Sequence, residues 1–338
     1  MAYITLNKKH FFNNLDIIAQ QSKGRDKIAL VLKDNAYGHG LLEVATMAKE
    51  YGLTKAVVRS YSEAKKIETF FDYILVLADT PEEKSEKIRY TINDLSSISK
   101  FVPGTKVELK VNTGMNRNGI AMDELREAFE SIVKEGLVLE ALFMHHSSAD
   151  EDKSIFQLQN ERFSHIKREA EALAQEFEMR PLRFHSCNSA ALFETEDFSE
   201  DMARVGIAAY GCLELVDNAH AEALQPILSL YAKRNSLQKL DKGDSVGYGA
   251  SFTASQEMRI GNYDFGYGDG FLRSSASGYK TPEGIALLGR ISMDNSSFFS
   301  DKEELLIFND ARVVAKFAGT ISYEVVCSLK EHLKRVIL

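Results

Sequence analysis

The chain has 338 residues, a formal net charge of -8 at pH 7 and a pI near 5.6, so it carries no general electrostatic attraction for nucleic acid or an anionic membrane surface. Its length suffices for one large domain plus a smaller one. Cys187, Cys212 and Cys327 are odd in number and lack CxxC spacing, which argues against a disulfide framework and a zinc site. The opening residues hold no continuous apolar segment, and a run of about eighteen apolar residues occurs nowhere. The sequence therefore predicts a cytoplasmic protein without a membrane span.

Residues 7–21 place Phe11, Leu15, Ile18 and Ala19 near helical spacing and predict an amphipathic helix. Strand-like runs follow at 28–33, 55–58, 73–77, 89–92, 106–112, 137–143, 182–186 and 203–208, the fourth being the least marked. Helix-like segments lie between them, among them Leu41 to Glu50, Met122 to Lys134 and the charged stretch Ile155 to Glu178. Eight short strands separated by helices predict an α/β fold whose N-terminal part is a (β/α)8 TIM-like barrel; an open doubly wound sheet is the alternative with the same pattern. Near residue 224 the character changes. The Gly-punctuated runs Ile227 to Tyr231, Ser245 to Phe252, Arg259 to Phe265, Ile285 to Ile291 and Leu305 to Phe308 predict a C-terminal mostly-β domain. The expected division is 1–223 for the barrel and 224–338 for the β domain.

On such a barrel functional groups sit at the C-terminal ends of strands. The first strand run ends at Lys33 and breaks into Asp34-Asn35-Ala36-Tyr37-Gly38-His39-Gly40. That arrangement suits an amine that bonds to an aldehyde cofactor beside an anion-binding loop, although a lone lysine at a strand end is most often an exposed surface group. Alternation in 106–112 puts Lys110 and Asn112 on one face near the barrel mouth, just before Thr113-Gly114-Met115-Asn116-Arg117-Asn118-Gly119. The next strand ends in Met144-His145-His146-Ser147, and no third ligand is spaced to make a metal site of the adjacent histidines. His185-Ser186-Cys187-Asn188-Ser189 and Arg204-Val205-Gly206-Ile207 close the last two strands. A hydroxyl, backbone N–H groups and a helix start there favour a dianion.

Together with Ser245-Val246-Gly247-Tyr248-Gly249-Ala250-Ser251, Gly266-Tyr267-Gly268-Asp269-Gly270, Gly289-Arg290-Ile291-Ser292-Met293-Asp294 and Gly319-Thr320-Ile321-Ser322-Tyr323-Glu324, these segments resemble, in order and over almost the whole chain, those of the alanine racemases. The resemblance implies pyridoxal 5'-phosphate (PLP) carried on Lys33, with Lys33 and Tyr248 as the two catalytic bases on opposite faces of the substrate. It implies cofactor contacts from Tyr37, Arg117, His145, Ser189, Arg204, Gly206, Ile207 and Tyr323. Ser189, the backbone around Gly206 and Ile207, Tyr37 and Tyr323 would hold the phosphate, and His145 would pack on the pyridine ring. Arg204 would sit at the pyridine nitrogen, where a permanent cation weakens the electron sink and disfavours transamination. Lys110 would be a carbamate that orients Arg117; an unmodified lysine paired with a neighbouring acid is the other reading. Arg117, Met293 through its backbone N–H, and Tyr267 would meet the substrate.

In that family the barrel of one subunit faces the β domain of the other, which implies a homodimer with shared active sites. The implied activity is interconversion of L- and D-alanine, supplying D-alanine for cell-wall peptidoglycan. A racemase of another small amino acid such as serine is the alternative, since a small pocket rejects one hydroxyl weakly. Tyrosinate at Tyr248 requires nearby positive charge, expected from His145 and Arg204. Departures from the family pattern are Asp34 for alanine, Asn112 for aspartate, Asn116 for glycine, Gly268 for alanine, and the second histidine, His146, for phenylalanine. A basic amino-acid decarboxylase would need an acid in place of Arg204 and a Cys-Asp pair, which is absent. Non-catalytic PLP-binding relatives are single barrels.

Overall fold

Strands buried on both faces read as continuous apolar runs rather than alternating ones, and the segments Ile28–Val31 and Tyr73–Val76 are buried at every position. In the computed structural model, which describes residues 1–81, 83–215, 218–276 and 278–338, these segments belong to a parallel sheet. After a first strand β1 (Tyr3–Leu6), its members are β2 (Ile28–Val31), β3 (Lys55–Val58), β4 (Tyr73–Val76), β5 (Ile88–Ile92), β6 (Lys106–Lys110), β7 (Val138–Phe143), β8 (Arg183–His185) and β9 (Ala203–Val205). The sheet runs β8-β7-β6-β5-β4-β3-β2-β9, with every ladder parallel. Between β9 and β8 the curl is completed by single backbone bonds, Asp201 N–H to the Phe184 carbonyl (3.1 Å) and Arg204 N–H to the Cys187 carbonyl (2.9 Å). The eight predicted strands are all present, the least marked included, and the sheet curls into a nearly closed barrel rather than an open one.

The second sheet is built from β10 (Leu228–Leu240), β13 (Met258–Tyr263), β14 (Leu287–Leu288), β15 (Ser296–Phe298), β16 (Glu304–Phe308) and β17 (Lys334–Ile337), with the hairpin of β11 (Ser245–Val246) and β12 (Phe252–Thr253) beside it. β10 is its spine, pairing with β1, β13 and β16. The strand β1, expected with the barrel, lies instead between β10 and β17 in this sheet. Short apolar β1 has two complementary edges waiting there, and its Ile4 and Leu6 are fully buried. Two helices, Ala311–Ala318 and Ser322–Ser328, return the chain toward the barrel. One apolar core continues from the barrel into the second sheet, so the two parts share their interior.

Candidate active site

Lys33 does not end its strand. The ladder stops at Val31; Leu32 N–H still reaches the Val57 carbonyl (2.8 Å), and Lys33 opens a turn in which Asp34, Asn35, Ala36 and Tyr37 all have φ between 51° and 56°. One turn of left-handed helix costs roughly 1–2 kcal/mol per residue, so its surroundings must hold it. They do so through Ala36 N–H to the Leu32 carbonyl (2.8 Å), Asp34 N–H to Glu63 Oε1 (2.7 Å) and Leu41 N–H to Asn35 Oδ1 (2.8 Å). The turn lays the Tyr37 ring 5.8 Å from Lys33 Nζ.

Around that turn the phosphate candidates gather. Ser189 Oγ accepts Gly206 N–H (3.1 Å) and Ala208 N–H (3.4 Å). A Cβ on Gly206 would stand 2.9 Å from Tyr37 Oη, so only glycine lets the phenol lie against that backbone. The Tyr323 and Tyr37 rings are 5.8 Å apart. Burial holds both phenols well above their usual pKa, which keeps them as neutral hydrogen-bond donors.

Opposite them lies a cluster of cations. Burial, then the charges of Arg117, Arg204 and Lys33, lower the Lys110 amine to about 8. Burial, then Arg204, Lys110 and Arg117, push His145 well below its ordinary value. In an acidic protein such an accumulation is the electrostatic counterpart of an anion. His146 points elsewhere, buried against Phe156 at 4.7 Å between ring centres, with both ring nitrogens unpartnered; burial lowers it to about 4. Of the adjacent histidines, His145 is thus the one among the cations. Among the described residues no group of three His, Cys, Asp or Glu side chains is arranged to hold a metal.

Arg204 is wholly buried. Its NH1 bonds to His185 Nδ1 (2.5 Å) and the His185 carbonyl (2.9 Å), its NH2 to the carbonyls of Met144 (2.7 Å) and Ser186 (3.0 Å). Four acceptors engage both terminal nitrogens, so Nε–H is the one guanidinium donor left without a protein partner among the described residues. That donor set fits a neutral ring nitrogen, and the hydroxyl, N–H and phenol cradle fits a phosphate dianion.

The departures near Arg117 have local explanations. Asn112 Oδ1 accepts Gly114 N–H (3.1 Å) and Asn116 N–H (3.0 Å), as a carboxylate would, while its Nδ2 adds a donor to Asn116 Oδ1 (3.0 Å). Asn116 takes a φ of 55°, which asparagine tolerates better than most residues. Gln159, fully buried and missed in the sequence, ties the loops together: its Nε2 donates to Thr113 Oγ1 and the His145 carbonyl, and its Oε1 accepts Ser147 N–H.

Tyr248, Tyr267 and Met293 lie on loops of the second sheet. Tyr267 N–H donates to the Ser292 carbonyl (3.0 Å) and Gly268 N–H to that of Met293 (2.8 Å), so Tyr267 and Met293 share one corner. A Cβ on Gly249 would be 3.2 Å from an Arg290 nitrogen, which puts that arginine, also unremarked in the sequence, beside Tyr248. The three side chains are 66%, 41% and 56% exposed. Among the described residues no hydrogen bond or ring contact joins them to Lys33, His145 or Arg204.

The model of the alanine racemase N-terminal domain matches residues 6–214, and that of the alanine racemase C-terminal domain matches 227–337. The chain belongs to the alanine racemase family. Curated alanine racemases from Nitratiruptor sp. and Campylobacter concisus are 44% and 40% identical to it, each over 99% of both chains. Among solved structures, an alanine racemase from Clostridium difficile superposes with a TM-score of 0.89 at 26% identity, over all of this chain and 95% of that one. The family is PLP-dependent, in agreement with the donor set at the barrel mouth.

Proposed function

We propose that the chain interconverts L- and D-alanine with PLP at the barrel mouth, Lys33 and Tyr248 acting as the two bases. The observation that carries this reading is the buried charged group on the mouth side of the last strand: it is Arg204, with Nε–H free, where a decarboxylase would present an acid. Ser189, Gly206, Ile207, Tyr37 and Tyr323 would hold the phosphate, His145 would pack on the ring, and Arg204 would donate to the pyridine nitrogen without protonating it. Bound, PLP supplies an electron-withdrawing ring that makes the Cα proton of an amino acid removable. Lys33 Nζ takes or returns that proton on one face. Tyr248 Oη does so on the other. Met293 N–H, Arg117 and Tyr267 position the substrate, and Lys110, neutral in good part near pH 8, is the amine that carbon dioxide converts to the anion orienting Arg117.

The active unit is a homodimer in which a partner's Tyr248 loop covers each barrel mouth; the exposure of Tyr248, Tyr267 and Met293 supports this. We assign residues 1–223 to the cofactor domain and 224–338 to the β domain, with β1 crossing between them. No helix among the described residues is long and apolar enough to cross a membrane, and we place the enzyme in the cytoplasm, supplying D-alanine for peptidoglycan. Nothing observed favours serine over alanine. The deciding experiment incubates purified protein and PLP with L-alanine, L-serine or L-lysine in turn and measures enantiomer ratios. Equal D- and L-alanine is expected; no D-alanine from L-alanine would overturn the reading.

A further inference from the structure

The mechanism leaves one buried ionisable group unused. Glu108, in the middle of β6 and fully buried, lies on the same face of the strand as Lys110 but one step deeper in the barrel. Its Oε1 accepts Tyr73 Oη–H (2.6 Å) and Arg183 NH2 (3.1 Å), and its Oε2 lies 2.8 Å from His185 Nε2. On the far side of the same imidazole, Nδ1 is 2.5 Å from Arg204 NH1. Arg183 continues the chain to Glu140 (2.9 Å), which Arg89 also meets (2.8 Å).

Elementary proton accounting fixes the imidazole. A guanidinium has hydrogens and no lone pair, so His185 Nδ1 must be the acceptor from Arg204. The ring proton then sits on Nε2 and points at Glu108. A carboxylate accepts it without competition; burial, with the Arg204 charge beside it and against the pull of Glu108 and Glu200, lowers His185 below its ordinary value, and Phe143 stacks on the ring at 4.7 Å. Replacing the carboxylate by an amide confronts a dilemma: its NH2 would face either the His185 N–H or the two donors Tyr73 and Arg183.

We propose that Glu108 is a positioning residue for the reaction, acting through the fixed Nε2–H tautomer of His185 to hold Arg204, and with it the Nε–H donor, at the pyridine nitrogen. This rests on the reading of Arg204 given above. Glu108 touches neither cofactor nor substrate; its influence reaches them through two hydrogen bonds. Weakening them lets the guanidinium relax, strengthens the electron sink and raises the share of turnovers lost to transamination.

Two measurements on the PLP-loaded enzyme test it, the first repeated without PLP. Imidazole nitrogen NMR, with His185 assigned by the signals missing from H185Q, should show an Nε2-protonated neutral ring that does not titrate between about pH 6 and 8. In Glu108→Gln that signature should change, kcat should fall roughly ten- to a hundredfold, the worth of one charge-assisted hydrogen bond, and transamination per turnover should rise by a similar factor, with KM held within about twofold. E108D, which keeps the charge, should restore the tautomer and part of kcat. A fall in kcat with an unaltered imidazole spectrum and unaltered transamination would mean mere packing damage and overturn the proposal, as would an E108Q enzyme indistinguishable from wild type. If E108Q does not fold, the wild-type spectrum decides: an Nδ1-protonated or titrating His185 overturns the relay. Failure of the wild type to make D-alanine would instead sink the assignment of the reaction, while leaving the His185 spectrum as expected, so the two failures are distinguishable.

Discussion

The barrel mouth and the loops around Tyr248 are built in opposite ways. At the mouth the framework is held from several sides: Arg204 by four acceptors, Ser189 by two N–H donors, the Lys33 turn by bonds to Leu32, Asn35 and Glu63. The Tyr248, Tyr267 and Met293 side chains stand in the open on short turns. A buried, cross-braced site keeps its geometry in a single chain, whereas an exposed one acquires it only against another surface. In the proposed dimer, one half of the machinery is finished by folding and the other by association.

The sharpest way to break this contrast is to disable each half separately. K33A should lose the visible absorbance of the bound cofactor and essentially all racemisation; an unchanged spectrum would remove Lys33 from the site. Y248F should keep that absorbance and lose about 10²–10⁴ in rate, unequally for the two directions of hydrogen exchange at Cα. Mixing the two inactive variants should then recover about a quarter of wild-type activity after subunit exchange, since half the dimers are hybrids with one intact site each. No recovery would mean that Lys33 and Tyr248 serve the same chain's site.

A smaller effect sharpens the description of the mouth. G206A should push Tyr37 aside and weaken PLP binding by about tenfold, the low end of overpacking costs, measured by cofactor titration; Tyr248→Phe should not weaken it. Lys110 gives a pH test. Its folded pKa, about 8, lies below the unfolded value, so the unfolded state binds more protons and the cost of burying the amine is fully present below pH 8. That cost is relieved as pH rises toward about 10, by roughly 3 kcal/mol at most. Denaturation of the PLP-free protein should show stability rising across this window in wild type and a flatter profile in Lys110→Met; parallel profiles would argue against the shift. The smallest change is expected from Asn116→Gly, within about 1 kcal/mol, because the left-handed φ suits glycine while the bond from Asn112 is lost.

The barrel was legible in the sequence because strands such as β2 and β4 are wholly apolar and its helices periodic: Lys55–Val58 was found to the residue and Leu41–Tyr51 within one. What escaped was structure set by distant partners. Strands β1 and β17 are four residues each and become strands only by pairing, β1 with β10 and β17, and β17 with β1. The left-handed turn after Lys33 has no signature beyond Asp34-Asn35, since alanine and tyrosine take positive φ only when their surroundings impose it. In the candidate site, the strand alternation that singles out Lys110 also puts Glu108 on its face, but its partners Tyr73, Arg183 and His185 come from two other strands, β4 and β8, and no local pattern encodes them. Which of two adjacent histidines joins the cations is matched by where Phe156 packs, against His146, a fact no local pattern encodes.

The placing of β1 bears on how the chain is made. Tyr3 pairs with Tyr231 on one side and Lys334 on the other, so β1 leaves the ribosome long before either neighbour exists. Until β10 follows it is an apolar edge without a partner, and its capture between β10 and β17 is a late, slow step of high contact order.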